Sequence, residues 1–90
     1  MAPLIVRQWG TEGSDEGQFV SASGVVVNGD EVLVTDFDNN RVEVFGLDGT
    51  LVRQWGGAGD GAGQLDRPDG IAVSEGEVFV SCNHRIQVFQ

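Results

Sequence analysis

The chain has 90 residues, of which 14 are acidic and five basic, every basic one an arginine, giving a net charge of −9 and a pI near 4.1. That balance argues against a phosphate-neutralising nucleic-acid surface, and no apolar run approaches the roughly 18 to 20 residues of a membrane-spanning helix. What remains is one small domain, in the size range where association between chains adds most to stability.

Short apolar runs follow one another along the chain. They are Ile5 to Trp9, Val25 to Val27, Val32 to Thr35 and Val42 to Phe45, then Leu51 to Trp55, Ile71 to Val73, Val78 to Ser81 and Ile86 to Phe89. Their length and β-branched content predict eight strands. Asn28-Gly29-Asp30, Asp48-Gly49 and Glu75-Gly76 stand between them and tolerate the positive φ that tight hairpins need. No stretch carries sustained helical periodicity, and Pro68 sits where a first strand residue need not donate to a ladder.

The second set of runs repeats the first. Ile5-Val6-Arg7-Gln8-Trp9-Gly10 returns 46 residues later as Leu51-Val52-Arg53-Gln54-Trp55-Gly56, and Glu31-Val32-Leu33-Val34 returns as Glu77-Val78-Phe79-Val80. After a two-residue deletion, Arg41-Val42-Glu43-Val44-Phe45 is answered by Arg85-Ile86-Gln87-Val88-Phe89. The copies divide the chain into repeat 1 (5–50) and repeat 2 (51–90) within a single 1–90 unit. Val25-Val26-Val27 and Val32-Leu33-Val34 are apolar on both faces, so their sheet must be covered from two sides. Four-stranded antiparallel units of this length, stacked face to face, are the blades of a β-propeller.

Gln18-Phe19 and Gln64-Leu65 after Gly-rich segments, then Pro68-x-Gly70-Ile71-Ala72-Val73, Val78-Phe79-Val80 and Asn83-His84-Arg85-Ile86-Gln87-Val88-Phe89, resemble the NHL repeat. The resemblance covers nearly the whole chain. It implies an all-β fold of two four-stranded propeller blades per chain, within a ring that is commonly six-bladed and that binds RNA, protein or a small substrate on one face. The family's Asp at the end of the second strand is Asp36 in the first copy but Cys82 in the second, which places in doubt any bracing of the following Arg in the second blade. The resemblance also implies that each blade runs from an inner strand at Gly24 or Gly70 to an outer one at Trp55 or Trp9. Residues 20–55 then form one whole blade, Ile5, Val6, Arg7, Gln8 and Trp9 an outer strand without inner partners, and 66–89 three strands without an outer one.

Two blades cannot close a ring, and an open edge invites pairing. The expectation is therefore a cyclic homotrimer completing a six-bladed propeller, in which strand 5–9 of one chain finishes the last blade of its neighbour. A dimer or tetramer would give four or eight blades. The Met four residues before the repeat, and the end at a strand, suit an excised or designed scaffold as well as a short natural gene. The start lacks a signal peptide's layout, consistent with a cytoplasmic or recombinant setting.

Candidate site residues fall into two groups. Ser21, Ser23, Arg67 and Asp69 precede the innermost strands and would border a central channel. Glu12, Asp15, Glu16 and Asp60 in the Gly-rich loops, with Asp36 and Asp38 in the second-to-third-strand turns, would make one face acidic and suited to a cation or a basic peptide. The remaining motifs read as structure. Gly57-Ala58-Gly59-Asp60-Gly61-Ala62 lacks the following helix of a dinucleotide site, so no cofactor is expected. Asp36-Phe37-Asp38-Asn39-Asn40 starts like a calcium loop but has Arg41 where the sharp-turn Gly belongs. His84 is the only histidine, so no catalytic triad or zinc set can be assembled with it, and Cys82 is the only cysteine. Trp9 and Trp55, flanked by Val and Ile, read as packing between blades. Three functions follow in order: a self-assembling propeller fragment, a binding module using the acidic face or channel, and, least supported, a lyase or hydrolase.

Overall fold

The computed structural model describes residues 2–90. Among them seven strands form in chain order: β1 (Ala22–Asn28), β2 (Glu31–Asp36), β3 (Arg41–Gly46), β4 (Leu51–Gly56), β5 (Pro68–Ser74), β6 (Glu77–Cys82) and β7 (Arg85–Phe89). They pair as a four-stranded sheet β1-β2-β3-β4 and a three-stranded sheet β5-β6-β7, all neighbours antiparallel. The sheets do not follow the repeat: β4, which opens the second copy, completes the first sheet. This is the phase expected of residues 20–55 and 66–89 within one chain, a four-stranded sheet and then three strands without an outer one. Residues 5–9, read as a strand, have no ladder partner among the described residues and are not one.

Hairpin chemistry sets the tight turns. Gly29, Gly49, Glu75 and Gly76 all take positive φ. The two-residue deletion in the second copy leaves Asn83 and His84 alone to join β6 to β7, with Asn83 at φ 57. Each sheet carries a bulge on its first strand, between Ala22 and Gly24 and between Pro68 and Ile71. Gly24 is required there, since an added Cβ would lie 2.5 Å from the Asp69 carbonyl oxygen.

The main core lies between the sheets. Leu33, Val42 and Val44 of the first meet Val78, Val80 and Cys82 of the second and Leu65 before it, with Val26, Trp55, Ile71, Val73 and Phe89 around them. A second cluster, Val32, Val34 and Phe45, lies on the opposite side of the first sheet, capped by Phe19 and Leu51. β2 is thus buried on both sides, which is why Val32-Leu33-Val34 does not alternate.

Candidate functional site

Two loops at one end of the molecule are built alike. In the first, the Arg41 guanidinium donates to the carbonyls of Ser14 (3.0 Å), Asp15 (3.0 Å) and Gln18 (2.7 Å). In the second, Arg85 donates to the repeat-equivalent carbonyls of Gly61 (2.9 Å) and Gln64 (3.1 Å). Gln18 and Gln64 fold back to accept from the amides of Asp15 and Gly61. The loops meet at Asn40, whose carbonyl accepts from the Gly57 amide (2.8 Å) and whose Oδ1 accepts from the Arg67 amide (2.9 Å).

Asp36 is fully buried and is removed from the acidic face expected of it. Its carboxylate accepts from the backbone amides of Val20 (3.1 Å) and Ser21 (2.8 Å) and from Asn39 Nδ2 (2.7 Å). It holds the loop onto the inner strand, while Arg41 is braced by loop carbonyls. Arg85 is braced the same way without an aspartate, so Cys82 costs the second sheet no arginine support. Glu12, Asp15, Glu16, Asp38 and Asp60 are exposed at this end. Among the described residues, no three His, Cys, Asp or Glu side chains cluster so as to hold a metal ion.

Glu43 is the most unusual charge, with no exposure at all. Its Oε1 accepts from the Gly17 amide at 2.8 Å, and its Oε2 lies 3.5 Å from the Arg41 guanidinium without a hydrogen bond. Burial pushes this carboxyl above its usual range, despite the opposing Gly17 amide and Arg41 charge. The equivalent Gln87 solves the same problem without charge: its Oε1 accepts from Gly63 (2.9 Å) and its Nε2 donates to the Gln64 carbonyl (2.6 Å).

The channel candidates are partly brought together. Ser23 Oγ lies 3.0 Å from Thr35 Oγ1 and donates to the Pro68 carbonyl at 3.2 Å, beside exposed Asp69. Ser21 instead faces the loop junction, its carbonyl accepting from the Phe37 amide. The Arg67 guanidinium turns to Asp66 at 3.6 Å, and Arg67 itself sits at φ 54. Thr35, not singled out in the sequence, ties the two inner strands: it accepts from Gly24 at 2.9 Å and donates to the Asp69 carbonyl at 2.6 Å. The hydroxyl retained at the equivalent Ser81, which accepts from Gly70 at 2.8 Å, was the available signal.

The open sheet faces are the largest unsatisfied feature. On the second sheet Ile86 and Val88 are 61% and 48% exposed, whereas their equivalents Val42 and Val44 are wholly buried. On the first sheet Val25 and Val27 are 66% and 59% exposed, whereas their equivalents Ile71 and Val73 pack in the core between the sheets. Trp9 lies on this open face, its ring 5.8 Å from Phe45 and tilted 54°. That geometry repeats the Trp55–Phe89 contact between the sheets, at 5.3 Å and 58°.

An NHL-repeat family model matches residues 19–45, the span from Phe19 to Phe45 that forms three strands of the first sheet. No curated protein matches the chain. The described residues contain no helix long and apolar enough to cross a membrane.

Proposed function

We propose that the chain is a blade pair whose activity is assembly into a closed β-propeller, most simply a cyclic trimer of six blades. The observation that carries this is the complementarity of its two open faces. Exposed Val25 and Val27 of the first sheet, with the Val32, Val34 and Phe45 cluster beneath Phe19 and Leu51, correspond to Ile71, Val73, Val78, Val80 and Phe89, the side of the second sheet that already packs against the first. Phe79, Ile86 and Val88 on the second correspond to Leu33, Val42 and Val44, the side that receives it. The open faces therefore fit each other and not themselves, which makes the contact head to tail and lets it close into a ring. Each large apolar side chain covered adds about 1.5 to 3 kcal/mol. Replacing Val88 with Glu tests it: sedimentation velocity should show the variant as a single chain with unchanged far-ultraviolet circular dichroism, while the parent sediments as an oligomer. Equal sedimentation of the two would contradict the proposal.

A second reading, capture of a basic peptide, is favoured by the exposure of Glu12, Asp15, Glu16, Asp38 and Asp60 at one end. Calorimetry with a poly-arginine peptide at low salt should then show binding that weakens as salt rises, and absence of heat would remove it.

A further inference from the structure

Within one chain, β4 shows how an outer strand closes a blade. It pairs with β3 in the register Arg41↔Gly56, Val42↔Trp55, Glu43↔Gln54 and Val44↔Arg53, then slips by one residue to Phe45↔Leu51. Across β3, Arg53 reaches Glu31 on β2 through two hydrogen bonds of 2.7 and 2.9 Å. That contact holds the Glu31 carboxyl below its usual range. The ion pair joins the outer strand to the second strand and so favours this register.

Every part of this arrangement recurs, divided between the two ends of the chain. Residues 5–10 differ from β4 at one position, Ile for Leu, and have no ladder partner among the described residues. β7 has the sequence equivalents of β3 and, among the described residues, a free outer edge. Glu77 opens β6 as Glu31 opens β2, and is exposed. Trp9 already stacks on its own Phe45 as Trp55 stacks on Phe89, so the segment lies beside the open face where a preceding blade's outer strand belongs.

We infer that residues 5–10 of one copy add to the free edge of β7 in the next copy in the register of β4 on β3, pairing Arg7 of one chain with Glu77 of the other. This rests on the assembly proposed above and deepens it. Gly10 then faces Arg85, Trp9 faces Ile86, Gln8 faces Gln87 and Arg7 faces Val88, with the slip at Val6 placing Ile5 opposite Phe89. Trp9 becomes covered on both sides, by its own Phe45 and by the neighbour's β7. Within a single chain the Asp48 carboxyl is held below its usual range first by the Thr50 amide and only weakly by the Arg7 charge, so Asp48 is the alternative partner to distinguish.

The absence of lysine gives a direct test. Arg7→Lys keeps the positive charge and introduces the only lysine side chain, which a carbodiimide can couple to a contacting carboxylate. Isotopically light and heavy Arg7→Lys chains are refolded together, sized, cross-linked and digested. The expected dominant product is a mixed-isotope peptide joining the introduced lysine to Glu77, lost when Glu77→Gln is added. An oligomer in which that lysine couples to Asp48 or to any other carboxylate overturns this register and leaves the ring standing. A single-chain mass for both the parent and Arg7→Lys overturns the assembly and the register with it.

Discussion

Glu43 and Gln87 occupy equivalent positions with the same neighbours and different protonation chemistry. The raised Glu43 carboxyl binds its proton more tightly folded than unfolded, so its contribution is fully present below the ordinary carboxylate range and is lost as pH rises through the raised folded value. Glu43→Gln should therefore remove that slope and raise Tm at pH 7 by roughly 4 to 8 °C, given about 1 kcal/mol for the hydrogen bond that Gln87 already makes. Thermal melts from pH 4 to 8 check this; a lower Tm for the variant at pH 7 would show that the charged form is needed. Asp36→Ala, in contrast, should cost about 3 kcal/mol, because it strands the Val20 and Ser21 amides. Neither role was visible in the sequence. Asp36 lies beside Asp38 in a polar turn, and only the return of the loop over its carboxylate turns it inward. The Glu43 side chain points at Gly17 in a loop far earlier in the chain, a distance no local pattern reports.

At the scale of the element, the strands were legible and their pairing less so. β2 and β3 are marked by β-branched runs that bury on both sides, and turns such as Asp48-Gly49 punctuate them. Residues 5–9 carry the same signal as β4, yet a strand exists only where a partner edge lies, and they have none among the described residues. The channel residues were half legible, since Ser23 meets the Pro68 carbonyl beside Thr35 and Arg67 and Asp69 line one pocket, while Ser21 turns to the loop. Leu65 locks the second loop into the core with no exposure, while its equivalent Phe19 covers the half-open face. Leu65→Ala should lower unfolding free energy by about 2 to 5 kcal/mol in urea titrations, the usual range for such a core cavity. Phe19→Ala should cost less in a dissociated chain, and an equal or larger cost would place Phe19 in the core already.

The whole molecule is two stacked sheets with unlike open faces, which we propose are completed by further copies. The stacked sheets and the similarity of residues 19–45 to the NHL repeat indicate the architecture, while the number of copies depends on the rotation between chains, which one chain's sequence does not encode locally. The most direct measurement is mass by light scattering behind a sizing column, over a range of concentrations, for the full chain and for a chain lacking residues 1–9. The expected result is a mass of about 29 kDa, three times the 9.6 kDa chain, for the first and loss of that species for the second. A full-length chain that remains at 9.6 kDa at every concentration, or a truncated chain with undiminished assembly, would contradict it.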